Sequence, residues 1–223
     1  MAPFGKIYSV LNNPRLSRSL VIADLNGLEI EVPPFTMRES NRTPEFLAKF
    51  PYGKIPAFEG ADGFCLYESL AIDTYLARSG PKANQLLGKD AKTEALITKW
   101  AVFSETELYR NAGLPIGMMV AKYLAPDERQ FDESVAALIR ALKVMDTELA
   151  GGKKYLVGNQ LTMADIIASS VLYFGCQYYF DPEMQKEIPN VMTYTKFQIA
   201  TPEFKKRYGE VKFCDARVKF EAR

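Results

Sequence analysis

The chain has 223 residues, 48% of them hydrophobic and 25% charged, a composition suited to a globular protein with a packed core. Its 28 Lys+Arg and 27 Asp+Glu nearly cancel to a net +1, so no charge excess points to nucleic acid or a membrane as partner. It has no histidine, which excludes Ser-His and Cys-His catalysis and any zinc site built on imidazole.

The three cysteines, Cys65, Cys176 and Cys214, are odd in number and show no C-x-x-C spacing. They read as reduced thiols packed as small hydrophobes, too few for a zinc cluster, and no metal is expected. No apolar run reaches the roughly 18 residues of a membrane span. The first six residues lack the charged-then-apolar layout of a signal peptide. The expectation is a cytoplasmic protein.

In chain order, residues 6–11 read as a strand, Asn12-Asn13-Pro14 as a break and 15–26 as a helix with Leu16, Leu20, Val21, Ala23 and Leu25 on its apolar face. A short strand over 28–32 ends at Pro33-Pro34. Thr43-Pro44 opens a short helix through Lys49, with Thr as cap and Pro at the first helical position. Residues 55–58 and 64–67 read as a hairpin around Gly60-Ala61-Asp62-Gly63, and 68–78 as a helix stopped by Ser79-Gly80-Pro81. The order is βαβ then αββα, a parallel crossover in the first half and an antiparallel hairpin in the second, which is the thioredoxin-like arrangement.

Residues 81–90 read as a linker between an α/β domain over 1–80 and an all-α domain over 91–223. A long helical stretch covers 91–123, with Gly113 and Pro115 expected to break or bend it. A second helix runs over 127–150. Leu161-Thr162-Met163-Ala164-Asp165-Ile166 is a helix start, with Asp165 in the capping-box position and Leu161 and Ile166 at the staple positions. That helix extends to about residue 180, and two more follow over 189–200 and 201–208.

Two segments carry chemistry. Lys54-Ile55-Pro56 leads into a strand, where a proline cannot join the ladder. Either it is an ordinary trans proline, or a cis bond turns the Ile55 N–H and C=O outward to a peptide-like ligand. Glu68-Ser69 opens a helix whose free N–H groups and positive dipole end suit a carboxylate, with the Ser69 hydroxyl as donor and Glu68 as partner for an ammonium. Alone, this is also consistent with a simple cap.

Gly53-Lys54-Ile55-Pro56 followed by Glu68-Ser69-x-Ala71-Ile72, with Gly158-Asn159-x-Leu161-Thr162-x-Ala164-Asp165 later, resembles the glutathione transferase family over the whole chain. Phe58-Glu59-Gly60-Ala61-Asp62-Gly63-Phe64, Tyr155-Leu156-Val157-Gly158 and Phe204 with Gly209-Glu210-Val211-Lys212 resemble one branch more closely, the N-terminal domain of the elongation factor 1 gamma subunit. The expectation is either a free-standing fungal-type relative, of a kind that includes enzymes of secondary metabolism, or a gamma subunit lacking its further domain.

The resemblance implies that glutathione is the co-substrate. Ile55 would bind its cysteinyl backbone, Glu68 and Ser69 its γ-glutamyl end, Lys54 and Lys49 its glycyl carboxylate, and Pro56 would be cis. Relatives place a Tyr, Ser or Cys just after the first strand to activate the thiol. This sequence lacks the serine two residues before the proline, leaving Asn13, Arg15 and Ser17, with Ser9, as candidates. Lowering a thiol pKa by about two units needs roughly 2.7 kcal/mol, within reach of one or two donors at a helix N-terminus. The loop's other reading is that it only packs.

A small hydrophobic electrophile would lie between the domains against Tyr109, Asn111, Leu114, Ile116, Met118 and Tyr178, residue types that equally suit a core. Trp100, Phe103 and Glu105 suit either a homodimer interface or, for Trp100, the core. Three functions fit: thiolate transfer to the electrophile, glutathione-dependent cis–trans isomerisation by reversible addition to a conjugated double bond, or a non-catalytic assembly domain with elongation-factor subunits as partners.

Overall fold

The computed structural model describes residues 3–222, in one compact unit ending at Lys89 and a second beginning at Asp90. The first unit contains β1 (Gly5–Tyr8), α1 (Pro14–Leu25), β2 (Ile30–Glu31), α2 (Pro44–Lys49), β3 (Ala57–Gly60), β4 (Cys65–Tyr67), α3 (Ser69–Arg78) and α4 (Ala83–Leu87). Its sheet has the order β2-β1-β3-β4. The β1–β2 pair is parallel, with Gly5 opposite Ile30, so α1 is the crossover. β1–β3 and β3–β4 are antiparallel, the latter with Ala57 opposite Tyr67. This is the expected thioredoxin-like half.

Alternation along the strands splits the core into two layers. On one face, Leu16, Val21 and Ile22 of α1 and Ile72 and Leu76 of α3 are buried completely or nearly so. On the other, Phe46 and Phe50 of α2 pack on Ala57, with Tyr8 and Phe35 against them.

Two boundaries differ from the sequence expectation. β1 stops at Tyr8 rather than residue 11, because the Asn13 N–H donates to the Val10 carbonyl (3.1 Å) and closes a turn into α1. Residues 81–90 carry α4, whose Leu86 and Leu87 are buried, rather than a plain linker.

The second unit holds α5 (Ala91–Phe103), a π-helical turn (Ser104–Tyr109), α6 (Arg110–Met119), α7 (Glu128–Glu148), α8 (Met163–Tyr178), α9 (Pro182–Glu187), α10 (Pro189–Ile199) and α11 (Pro202–Tyr208). The long helical stretch does not break at Gly113 or Pro115; both lie inside α6. The irregularity falls earlier, in the π turn, which inserts backbone and redirects a helix. A Cβ at Gly113 would meet nothing within 4 Å, so sterics do not demand glycine there.

α8 is apolar on nearly every side, as a central helix must be. Its start is fastened by the buried Asp165. Oδ1 accepts from the Leu156 N–H (2.8 Å) and the Tyr194 hydroxyl (2.9 Å), and Oδ2 from the Thr162 N–H (2.9 Å) and hydroxyl (3.0 Å). After α11 the chain runs back along α8. The Cys214 N–H donates to the Cys176 carbonyl and the Val218 N–H to the Tyr178 carbonyl, both at 2.8 Å. Arg217 forks onto Asp181 (2.8 and 2.9 Å). Among the described residues no helix is long and apolar enough to cross a membrane.

Candidate ligand site

The Ile55–Pro56 bond is cis. The β3–β4 ladder begins at Ala57, so Ile55 precedes it and takes no ladder position. Glu68, exposed at the N-terminus of α3, adopts φ 72° and ψ 111°, a region a side chain rarely occupies and one that costs on the order of 1–3 kcal/mol. Its side chain makes no capping hydrogen bond. The first N–H groups of α3, at the dipole's positive end, therefore receive no cap from the Glu68 side chain.

Ser69 follows, only 9% exposed. Its Oγ accepts from Arg18 Nη2 (3.1 Å), and Arg18 Nε donates to Asp73 Oδ2 (2.7 Å), with both charged side chains fully buried. Ser19 donates to the other Asp73 oxygen. Sequence reading found Ser69 but missed this support. The signal was there: Ser69 and Asp73 are four apart on one helical face, and Arg18 falls on the apolar stripe of α1.

Two cations flank the turn. Lys54 is exposed, with Nζ 4.3 Å from the centre of the Tyr52 ring. Arg42, which sequence reading passed over, lies beside Gly53: a Cβ built there would sit 3.7 Å from Arg42 Nη1. Asn41 Nδ2 donates to the Gly53 carbonyl (2.7 Å), fixing that approach.

Lys49 goes elsewhere. Its Nζ pairs with Glu59 Oε1 (2.6 Å), and the Tyr8 hydroxyl donates to Glu59 Oε2 (2.7 Å), in the layer covered by α2. These two bonds, Lys49's first, hold the Glu59 carboxyl below its ordinary value. Burial, then Glu59, pushes the Tyr8 phenol well above its own. Tyr8 ends β1, where a thiol-activating hydroxyl is sought, but it is held as a donor to a carboxylate.

The loop into α1 is ordered by Asn13. Its Oδ1 accepts from the Arg15 N–H (3.0 Å), and its Nδ2 donates to the buried Ser9 Oγ (3.1 Å). Arg15 and Ser17 lie within the first turns of α1, half-buried, and the Ser17 N–H donates to the Asn13 carbonyl (3.2 Å). Burial raises all three cysteine thiols, Cys176 to about 12.

In the second unit the six proposed substrate contacts separate. Ile116 and Met118 are 6% and 0% exposed, so they fill the helical core. Tyr109 at the end of the π turn, Asn111 and Leu114 on α6, and Tyr178 at the end of α8 are half-buried. Asn111 Nδ2 donates to the Glu107 carbonyl in that turn (2.7 Å). Trp100 is buried. Among the described residues no group of three His, Cys, Asp or Glu side chains is placed to hold a metal.

A small mixed sheet with a cis-proline turn and a polar helix start, followed along the chain by an all-helical unit, defines a two-unit protein with a thioredoxin-like first half. Residues 3–78 match the profile "Glutathione S-transferase, N-terminal domain" and residues 97–202 the profile "Glutathione S-transferase, C-terminal domain". The chain is 42% identical over 219 residues to "Glutathione S-transferase-like protein LUC7" of Fusarium sp, covering 97% of this chain and 98% of that one. It is 33% identical to elongation factor 1-gamma-A of Xenopus laevis, over 98% of this chain and 50% of that protein. The GST-like domain of elongation factor 1-gamma from Saccharomyces cerevisiae superposes with a TM-score of 0.82 at 22% identity, covering 99% and 100% of the two chains. The chain belongs to the glutathione S-transferase family.

Proposed function

We propose that this chain binds glutathione in its first unit and presents the thiolate to a small apolar electrophile. The observation that carries this reading is the α3 N-terminus. There a strained Glu68 and a Ser69 held from behind by Arg18 offer an acceptor, a donor and free N–H groups to an amino-acid end. Ile55 would meet the cysteinyl backbone, and Lys54 and Arg42 the glycyl carboxylate. Lys49, engaged by Glu59, would act only on their surroundings.

Thiol activation falls to Asn13, Arg15 and the N-terminus of α1, with Ser17 one turn further in. Tyr109, Asn111, Leu114 and Tyr178 are the residues offered to the electrophile. A homodimer fits exposed apolar side chains in each unit: Phe64 and Tyr67 in the first, Leu96 and Val102 in the second. We place the protein in the cytoplasm.

The test is calorimetric titration with glutathione, then turnover of a model electrophile and of a conjugated cis-olefin. Binding with conjugation supports transfer, and binding with isomerised, glutathione-free product supports reversible addition. Lys54→Ala with Arg42→Ala should raise KM for glutathione about tenfold with kcat unchanged, the pattern of lost uniform binding.

One observation favours a second reading, an assembly domain for elongation-factor subunits: the loop after β1 presents an amide, Asn13, where activation by a hydroxyl is sought. Tight binding to such a subunit with no turnover would replace the enzyme reading.

A further inference from the structure

Arg18 and Asp73 form an ion pair with 0% exposure on both side chains, at 2.7 Å. Burying two charges costs several kcal/mol, and an apolar pair of similar volume is often as stable or more so. A buried pair is therefore weak evidence for a purely stabilising role, and what it touches matters. The second arm of the guanidinium reaches Ser69 Oγ at 3.1 Å. Asp73, one turn along α3 from Ser69, holds Arg18 Nε and so aims that arm.

An arginine has donors and no acceptor. Ser69 Oγ must therefore turn a lone pair inward to Arg18, and its proton points away from it. A hydroxyl that accepts from a cation on one side is also a stronger donor on the other, because the bonds polarise one another in a low-dielectric site. The small exposure Ser69 retains lies at the start of α3, where the N–H groups gather.

We propose that Arg18, though it touches no ligand, is the positioning residue that fixes the Ser69 hydroxyl as a donor to the α-carboxylate of a γ-glutamyl ligand. The inference rests on the glutathione reading above. It predicts that ligand discrimination at that one carboxylate is set from beneath the helix by the Arg18–Asp73 pair.

The experiment titrates two ligands, glutathione and its analogue lacking only the γ-glutamyl α-carboxylate (γ-aminobutyryl-cysteinylglycine), into wild type and four variants. Arg18→Met/Asp73→Leu removes both charges at similar volume, and Ser19 keeps an acceptor in the Arg15 carbonyl (3.0 Å). The expected result is a five- to tenfold loss of affinity for glutathione, with the analogue changed less than twofold. Ser69→Ala should show the same selective loss, and combining it with the double variant should add nothing further. Should the double variant not fold, Arg18→Lys carries the test. It keeps the charge beside Asp73 but lacks the rigid fork, and should show the same selective loss.

Equal losses for both ligands, an undiminished preference for glutathione, or losses that multiply in the combined variant would each overturn the positioning role alone. Wild type that binds neither ligand would overturn the glutathione reading, and the inference with it.

Discussion

Asn13 donates through Nδ2 to Ser9 Oγ at 3.1 Å while its Oδ1 caps α1 at the Arg15 N–H, 3.0 Å away. One carboxamide thus ties the end of β1 to the start of α1 and keeps a second Nδ2 hydrogen at the helix mouth. Asn13→Ala should destabilise the protein by about 1 kcal/mol through the lost cap and lower thiol-dependent turnover. Asn13→Asp should keep the cap and the stability. It places a negative charge where a thiolate would form, so the pKa read from the pH–rate profile should rise. Urea unfolding and that profile separate the two effects. An Asn13→Asp profile that does not move removes Asn13 from activation.

Glu68 occupies a backbone conformation natural to glycine. Glu68→Gly should raise stability by roughly 1 kcal/mol, as relieved strain outweighs added chain entropy. The same change deletes the carboxylate offered to an ammonium and should weaken glutathione binding by tenfold or more. Thermal unfolding and calorimetry are the measurements, and a variant less stable than wild type would contradict the strain argument.

Asp165 collects four hydrogen bonds at the start of α8. Burial raises its carboxyl above the ordinary value, against those four bonds. Asp165→Ala leaves four buried donors without an acceptor and should cost at least about 3 kcal/mol. Tyr194→Phe removes one donor and should cost about 1–2 kcal/mol. Denaturant midpoints decide the order, and equal costs would mean that Asp165 does not organise the cluster.

The Arg217–Asp181 fork holds the C-terminal segment, and its strength depends on pH. Burial pushes the Asp181 carboxyl up, but bonds from Arg217 and from the Met184 N–H outweigh it and leave the carboxyl below its ordinary value. With the folded value depressed below the unfolded one, the stabilisation is complete above about pH 4. It is lost as pH falls through the folded value. Backbone-amide protection over residues 214–222, measured against the intrinsic exchange rate at each pH, should therefore be high at pH 7 and fall below about pH 4. Arg217→Ala should show little protection there at pH 7 and lose that acid dependence.

Much of the fold was legible because it rests on periodicity and punctuation. The apolar stripe of α1, the Thr43-Pro44 start of α2, the hairpin turn ahead of Phe64 and the Thr162–Asp165 helix start are local signals, and the structure has each element in place. The π turn and α4 were not legible. An inserted helical residue leaves the apolar period nearly intact, and a five-residue helix carries too little pattern.

At the site, the residue types that suit an amino-acid end followed from the sequence alone: a cis-prone Ile55-Pro56 and a polar helix start at Glu68-Ser69. Side-chain partnerships did not, because they depend on which groups long-range packing brings within 3 Å. Lys49 and Lys54 are both lysines near the same turn, yet only the fold commits one to Glu59 and leaves the other exposed. Ile116 and Met118 share a helix with Leu114, but only packing decides which of them are buried. The sequence by itself carried the motifs that resemble the family and the order of most elements, since these are written in local pattern. The tertiary structure alone decided that Arg18 stands behind Ser69 and Arg42 beside Gly53, since a charge finds its partner in space rather than along the chain.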